Sequence, residues 1–326
     1  MTTPPRGLQK PSRLKEGATV ALVAPAFSFD SARLETGRTY LEKKYGIKTV
    51  WTESLFDRES YFAGPDERRA EELVKWLSSP NVDAVIAVRG GYGCARIYPE
   101  VIKQLKQHKG LKPKILLGYS DLTILLNGLH QDLGWATFHG PVITGSSLFS
   151  PNELEEETFY KTLFTAVPLG TVTEAGMITA LPGTARGQVV GGCLSLVVSS
   201  IGTDYEIDTN GKILFVEDVD ERPYRLDRMA TQLAHSGLLD KIRGLIIGQL
   251  PHCQPPALDK DPSQTSAIAA LLGALEPVLK ARKIPTIYDF PAGHGNPQIT
   301  FPIGAEIELR ADPINPEVEF LEAAVT

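Results

Sequence analysis

The sequence predicts an α/β protein of two domains. Short apolar segments alternate with amphipathic helical segments up to about residue 145, and the alternation resumes after about residue 185. This alternation is typical of parallel sheets covered by helices on both faces. The length of 326 residues suits two medium-sized domains better than one. We therefore expect a domain over residues 1–145, a linker over 146–185 and a second domain over 186–326.

Five apolar segments predict the strands of the first domain: ATVALVAPA, IKTVWTE, DAVIAVRGG, PKILLGYS and ATFHGP. Helical segments separate them. In GPDERRAEELVKWLSSP, one helix face is marked by apolar residues at i, i+3, i+4 and i+7, namely Ala70, Leu73, Val74 and Leu77. Pro65 and Asp66 mark the start of this helix, and Pro80 marks its end.

The middle segment differs from its flanks. It holds one helical stretch, NELEEETFYKTLFTA, and then a run rich in glycine and proline without a strong period, which predicts a linker. Beyond it, QVVGG, KILFVEDVD, IRGLIIGQ and PTIYDF read as strands that alternate with helices. The closing segments AEIELRA and EVEFLE predict antiparallel or edge strands.

Composition excludes several classes of protein. A net charge of −6 gives no electrostatic reason to expect nucleic acid or a membrane surface as a partner. No apolar run approaches the roughly 20 residues of a membrane helix, and the first residues lack the apolar core of a signal peptide. The three cysteines form no CxxC pair, so neither a disulfide framework nor a zinc site is indicated. We expect a cytoplasmic protein.

The first candidate for chemistry is Ser120 in LLGYSDLT, at the joint between a predicted strand and a predicted helix. A nucleophile at such a joint lies on a tight turn, where the N–H groups of the helix start can receive an oxyanion. The G-x-S-x-G pattern is matched only in part, because Leu122 occupies the second glycine position. The alternative is that Ser120 or Asp121 merely caps the helix.

A glycine loop follows the neighbouring strand. In AVRGGYG, Arg89 precedes Gly90, Gly91 and Gly93, and glycines at a strand end allow close approach of the backbone to a ligand. The spacing does not fit a dinucleotide fingerprint. We interpret it as a loop for an oxyanion or a substrate carboxylate, with a plain tight turn as the alternative.

A carboxylate and a histidine complete the candidate site. Glu217 ends an apolar strand, and a carboxylate there needs a partner. His294 lies between two glycines in a loop, where functional residues concentrate, and His139 is its rival. The other acids near Glu217 have no histidine at metal-ligand spacing, so no metal is expected. Serine, histidine and glutamate together could form a catalytic triad.

Two other functions stay open on these residues. Cys193 in QVVGGCLSLVV also lies near a strand–helix joint and could serve a cysteine amidase, although buried cysteines are common as small apolar residues. The α/β pattern and glycine loops also fit a non-enzymatic protein that binds a ligand in a cleft.

Eight motifs follow one another along the chain: VAPA, YFAGPDERRAEEL, AVRGGYGCARI, LLGYSDLT, FHGP, GQVVGGCLSLV, FVEDVDERPYRLDRM and GHG. In these motifs and in their order, the sequence resembles the L,D-carboxypeptidases, which include muramoyl-tetrapeptide carboxypeptidases and the related microcin self-immunity peptidases. The resemblance implies a flavodoxin-like N-terminal domain, a C-terminal domain of swivelling β/α-barrel type and a homodimer without metal or cofactor.

The resemblance also implies roles for single residues. Ser120 would be the nucleophile, Glu217 the orienting acid and His294 the base. The oxyanion hole would use the N–H groups of Gly91 and Asp121.

The implied reaction is removal of a terminal D-amino acid from an L,D-linked peptide, such as murein tetrapeptide in cell-wall recycling. Arg89 and Arg225 are candidates for binding the substrate's carboxylate, with surface or interdomain salt bridges as the alternative. The microcin branch stacks a nucleotide on an aromatic loop, but no tryptophan of this chain lies within 146–185. The missing tryptophan makes action on peptidyl-nucleotides the less favoured alternative, and it stays open because a tyrosine or phenylalanine could stack instead.

Overall fold

The structure is a computed structural model that describes residues 7–254 and 265–326. It contains two compact units. The first extends to Leu169 and also includes Ile299–Ala305 and Glu322–Thr326, and the second comprises Gly170–Gln298 and Glu306–Leu321. None of the helices within the described residues has the length and apolar character needed to cross a lipid bilayer.

The strands, in chain order, are β1 Thr19–Val23, β2 Lys48–Val50, β3 Ala84–Ala87, β4 Ile115–Gly118, β5 Thr137–His139, β6 Gly170–Val172, β7 Ile178–Leu181, β8 Gly183–Cys193, β9 Ile213–Glu217, β10 Gly244–Gly248, β11 Thr286–Phe290, β12 Phe301–Ile303, β13 Glu306–Ala311 and β14 Glu317–Phe320. The α-helices are α1 Ser31–Tyr45, α2 Asp66–Ser78, α3 Cys94–Gln107, α4 Thr123–Leu133, α5 Ser146–Phe149, α6 Glu153–Phe164, α7 Leu194–Ser199, α8 Pro223–His235 and α9 Ala267–Arg282. Short 3₁₀ helices cover Glu53–Phe56, Ser120–Leu122 and Leu238–Asp240.

The first unit contains a six-stranded sheet in the order β12-β5-β4-β3-β1-β2. Strands β1 to β5 are parallel, and β12 pairs antiparallel with β5. The order 2-1-3-4-5 of the parallel strands is the flavodoxin-like order, which confirms the expected fold of this region. Ligands of such sheets bind beyond the carboxyl ends of the strands, where the chain leaves β3 and β4.

Helix α2 forms where the apolar spacing predicts it. Its buried face includes Ala70, Leu73, Val74 and Leu77, and the chain leaves the helix at Ser79, just before Pro80. The described strands β3 and β4 are buried along their whole length, as expected for strands covered by helices on both faces.

The second unit contains an eight-stranded sheet in the order β6-β14-β13-β8-β9-β10-β11-β7. Its centre, β8 to β11, is parallel, and the flanking strands pair antiparallel. The predicted closing strands are β13 and β14, which pair with each other antiparallel. Apolar side chains of β9 and β10 pack with those of α8 and α9 in one buried core.

The boundary between the two compact units lies inside the segment 146–185, which the sequence predicted to be a linker. Residues up to Leu169 form α5 and α6 in the first unit, and the residues after them form β6, β7 and the start of β8 in the second. Strands β6 and β7 lie at the two ends of their sheet order. Their side chains are mostly half-buried or exposed, and such edge strands carry only a weak apolar period.

Candidate active site

Ser120 lies on a tight turn between β4 and α4. Its φ is +64°, a left-handed conformation that costs a non-glycine residue on the order of 1–2 kcal/mol. Neither the 3₁₀ turn nor α4 receives a side-chain cap at its N-terminus. The serine is therefore held in a strained elbow at the sheet's carboxyl edge, as in the strand–nucleophile–helix turn of many hydrolases, and does not act as a helix cap.

The turn also explains why leucine replaces the second glycine of the G-x-S-x-G pattern. Leu122 is fully buried, and its side chain lies over Gly118, where a Cβ would clash with the leucine Cδ2. The first glycine of the pattern thus makes room for the leucine, which packs the turn against its own strand.

The glycine loop after β3 adjoins this elbow. A Cβ on Gly90 would lie 2.9 Å from Cβ of Ser120, and a Cβ on Gly91 would clash with the ring of Phe27. Gly91 and Gly93 have φ values of +119° and +137°, which favour glycine. The loop therefore needs glycines both for its backbone conformation and for its close approach to Ser120 and Phe27.

Arg89 begins this loop and is exposed. Its Nη1 donates to the carbonyl of Ser28 at 2.8 Å, and its guanidinium carbon lies 5.7 Å from the centre of the Phe27 ring. These contacts hold a cation at the edge of the glycine loop.

In the second unit, Glu217 and His294 form a hydrogen-bonded pair. Glu217 is the last residue of β9 and is fully buried, and its Oε2 accepts from Nδ1 of His294 at 2.7 Å. The backbone N–H of His294 donates to the same oxygen at 3.2 Å. Gly293 has φ +109°, and a Cβ there would lie 2.5 Å from that oxygen, so a glycine must precede the histidine.

The surroundings of His294 set its proton affinity. Burial lowers the pKa of the imidazole, but the charge and hydrogen bond of Glu217 raise it, helped by the charges of Asp218 and Asp220. The net result is a pKa above the ordinary value of 6.5. With Nδ1 donating to Glu217, the neutral ring carries its lone pair on Nε2, which is the arrangement of a general base.

Ser120 and the Glu217–His294 pair each fall within a known domain family. Residues 20–140 match the family model of the LD-carboxypeptidase N-terminal domain, and residues 186–309 match that of the LD-carboxypeptidase C-terminal domain. A probable murein peptide carboxypeptidase of Bacillus subtilis (strain 168) is 37% identical over 92% of this chain and 91% of its own length. The chain belongs to the LD-carboxypeptidase family.

Other comparisons agree with this membership. A murein tetrapeptide carboxypeptidase of Pseudomonas aeruginosa is 30% identical over 90% of this chain and 93% of its own length. The crystal structure of a muramoyltetrapeptide carboxypeptidase from Oxalobacter formigenes matches with a TM-score of 0.77 and 25% identity, over 95% of this chain and all of its own. The structure of MccF with glutamyl sulfamoyl guanosine matches with a TM-score of 0.83 over 97% and 99% of the two chains, and at 22% identity it shows a shared fold.

Cys193 lies next to the Glu217–His294 pair without the properties of a nucleophile. It pairs with Glu217 between β8 and β9, and its Sγ lies 3.1 Å from Oγ of Ser195. Burial raises the pKa of its thiol well above 9.0, and the charges of Asp218 and Glu217 raise it further. Because the thiolate is the reactive form of cysteine, this position disfavours the amidase alternative.

Two further candidates have structural partners. His139 lies fully buried in β5, with its ring stacked on Phe301 at a centroid distance of 5.0 Å, which indicates a role in the core of the first unit. Arg225 is exposed on α8, and its Nη1 lies 3.5 Å from Oε2 of Glu221, four positions earlier and just before the helix. This contact is the salt bridge that was the alternative to a substrate-binding role.

Asp218, the first acidic residue after β9, binds backbone N–H groups. Asp218 is buried, and its carboxylate accepts from the N–H of Ser195 at 2.8 Å near the start of α7. Burial and the charge of Glu217 raise the pKa of Asp218 to about 6. Among the described residues, no group of three or more His, Cys, Asp or Glu side chains is arranged to hold a metal ion.

Sequence reasoning missed three residues that shape the site: Phe27, Arg69 and Gln298. Arg69 is 2% exposed on the inner face of α2. The amide of Gln298 donates to the carbonyl of Gly293 at 2.5 Å and so holds the loop before His294. Only Arg69 had a signal, since it lies four positions before Leu73 on the apolar face of a predicted helix.

Proposed function

We propose that this protein is a serine-type L,D-carboxypeptidase that removes the terminal D-amino acid from murein tetrapeptide. The observation that carries the proposal is the 2.7 Å hydrogen bond between His294 Nδ1 and the buried carboxylate of Glu217. The strained conformation of Ser120 and the names of the Bacillus and Pseudomonas relatives support the same activity.

In the proposed mechanism, Nε2 of His294 takes the proton of the Ser120 hydroxyl while Oγ attacks the carbonyl carbon of the terminal peptide bond. The N–H groups of Gly91 and Asp121 stabilise the oxyanion, each by about 3 kcal/mol. The imidazolium, stabilised by Glu217, then protonates the departing nitrogen, and the D-amino acid leaves. Water, deprotonated by His294, hydrolyses the acyl-enzyme and restores Ser120.

An exopeptidase must recognise the free carboxylate of its substrate. Arg89 is proposed for this role, because it is exposed at the start of the glycine loop and is held there by the carbonyl of Ser28. A planar guanidinium can bind a carboxylate through two hydrogen bonds. Arg225 has weaker support, since Glu221 already engages it.

We also propose a cytoplasmic location and a homodimeric state for the enzyme. Murein peptides are recycled inside the cell, so the enzyme would act in the cytoplasm, and the family resemblance suggests a homodimer. Gel filtration with light scattering tests the second point, since a monomeric mass would contradict it.

The activity is tested with purified protein and two tetrapeptides that differ only in whether the last bond is L,D or L,L. We expect alanine release from the L,D peptide alone. Ser120→Ala should lose on the order of 10⁴-fold or more in kcat, as in other serine peptidases without their nucleophile. Release that survives in Ser120→Ala would refute the triad.

The rival functions give different results in the same assay. Cys193→Ala should stay within a few-fold of the wild type, and its inactivation would favour the amidase. Iodoacetamide should not inhibit the native enzyme, because all three cysteines are buried and burial raises the pKa of each thiol. No release from either peptide would favour a binding protein, and cleavage confined to an aminoacyl-sulfamoyl nucleotide would favour the microcin-type alternative.

A further inference from the structure

One peptide unit of the glycine loop is held at both ends by buried charged side chains. The carbonyl of Gly93 accepts from Nη1 of Arg69 at 3.3 Å, and the N–H of Cys94 donates to Oδ2 of Asp121 at 2.7 Å. These carbonyl and N–H groups belong to the same peptide unit. We propose that the carboxylate of Asp121 and the guanidinium of Arg69 form a clamp that positions the oxyanion hole at Gly91.

The loop needs such a clamp because of its composition. Glycines have more backbone freedom than any other residue, and Gly90, Gly91 and Gly93 lie within four positions. An oxyanion donor works only within about 2.7–3.1 Å of the developing charge, and a misplacement of about 1 Å can reduce the rate by about 10²-fold. The two hydrogen bonds fix the backbone immediately after the segment that carries the Gly91 donor.

Asp121 ties the loop to the nucleophile. Helix α3 begins after Gly93, which has no side chain to cap it. The carboxylate of Asp121 supplies the missing acceptor from the neighbouring strand–helix turn, where the helix dipole favours a negative charge. Because Asp121 directly follows Ser120, its hydrogen bond with the N–H of Cys94 links the elbow to the end of the glycine loop.

Arg69 ties the same loop to two other segments. Its guanidinium donates to the carbonyls of Gly64, at 3.1 Å, and Pro25, and to the carboxylate of Asp66. Pro25 follows β1 and Gly64 precedes α2, so Arg69 joins the loops at the carboxyl ends of β1 and β3. A planar fork with several donors suits this arrangement, and a lysine could not satisfy all of these acceptors.

The test rests on the proposed function and uses the full-length enzyme with the L,D tetrapeptide. Asp121→Ala is expected to lower kcat by about 10- to 100-fold with KM within about threefold, since the clamp acts on the transition state. The same variant should bind a peptide boronic acid, whose tetrahedral adduct occupies the oxyanion hole, more weakly by a similar factor. Asp121→Asn should recover most of the lost kcat, because an amide oxygen can also accept the Cys94 N–H.

A matched control separates positioning from stability. Asn152→Ala removes the cap of α6, whose side chain accepts the N–H of Glu155 at 2.9 Å elsewhere in the first unit. It should lower Tm without changing kcat. If Asp121→Ala lowers Tm but leaves kcat and boronate affinity at wild-type values, the clamp is refuted.

Arg69→Lys keeps the inference testable if Asp121→Ala does not fold. Lysine retains the positive charge but lacks the several N–H donors of the planar guanidinium, so kcat should fall while KM stays constant. An unchanged kcat would overturn the proposal. Failure of the underlying function has a different signature, because the wild type would then release no alanine from the L,D tetrapeptide, or Ser120→Ala would keep the activity of the wild type.

Discussion

The carboxylate oxygen Oε2 of Glu217 holds both the ring and the backbone of His294, at 2.7 Å from Nδ1 and 3.2 Å from the amide nitrogen. One buried atom therefore sets the tautomer of the imidazole and, together with the Gln298 hydrogen bond to Gly293, holds the position of the loop. A change at Glu217 should consequently alter both the proton affinity and the orientation of His294.

Replacing Glu217 by glutamine should shift the acidic limb of the kcat/KM profile to lower pH. In the wild type, burial lowers the pKa of His294, but the carboxylate outweighs this effect and the net pKa is raised. Glutamine removes the charge and leaves the burial. Activity needs the neutral imidazole, so the limb follows this pKa downward, while kcat falls by as much as about 10⁴-fold because the tautomer is no longer fixed.

The pH profile of each variant measures this shift. Glu221→Gln is the matched control, since it removes a carboxylate from the same acidic segment without touching His294. Its limb should stay at the wild-type pH. If the acidic limb of the kcat/KM profile of Glu217→Gln lies at the wild-type pH, the carboxylate does not raise the pKa of His294.

Ser120→Gly should be more stable than Ser120→Ala by about 1 kcal/mol. Both variants lack the hydroxyl and should be inactive, so they differ only in backbone preference. The φ of +64° suits glycine and strains alanine. Urea unfolding of the two variants measures the difference, and an alanine variant as stable as the glycine variant would argue against a strained elbow.

Much of the site could be predicted because its polar residues interrupt apolar strands. Glu217 after four apolar residues and Ser120 at a strand–helix joint are local signals. The alternation of strands and helices predicted a parallel sheet covered by helices, and the family resemblance implied its flavodoxin-like order. The pairing of Glu217 with His294 is not local, since 77 positions separate them. The sequence indicated this pair only because a buried carboxylate needs a partner and because the family resemblance implies it.

Other features depend on contacts that no local pattern records. Arg69 and Asp121 lie on different elements and bind the two ends of one peptide unit. In the sequence alone, Arg69 resembles an ordinary helix charge and Asp121 an ordinary helix cap. Strands β6 and β7 fall within the predicted linker of residues 146–185, because an edge strand with one neighbour buries few side chains and so shows little apolar periodicity. Tertiary contacts decide both cases, so periodicity could not reveal them.

Gly118→Ala should destabilise the first unit, because the added methyl group would clash with the buried side chain of Leu122. A cost on the order of 1–3 kcal/mol is expected for such overpacking. Gly118→Ala combined with Leu122→Ala should cost less than the sum of the single variants, since the second change removes the clash. Additive costs in urea unfolding would contradict this packing.

Gly273→Ala provides the control for this series. Gly273 is an exposed glycine in α9, and a Cβ there would meet no atom within 4 Å. Alanine at that position should stabilise the protein by about 0.5–1 kcal/mol, because it favours the helix.

Asp218→Asn should stabilise the protein increasingly as the pH rises from about 4 to 7. Burial and the charge of Glu217 raise the folded-state pKa of Asp218 from 3.8 to about 6. The folded wild type therefore binds this proton more tightly than the unfolded chain, and it loses stability as the pH rises through that range. The full loss is on the order of 3 kcal/mol, and asparagine avoids it while its oxygen still accepts the N–H of Ser195.

Thermal unfolding at several pH values tests the effect, with the exposed Asp204→Asn as the control. The Tm difference between Asp218→Asn and the wild type should be smallest near pH 4 and should grow toward pH 7. A difference independent of pH would show that Asp218 does not carry a raised pKa. Because the charge of Asp218 also raises the pKa of His294, the same variant should move the acidic limb of activity to lower pH, by less than Glu217→Gln does.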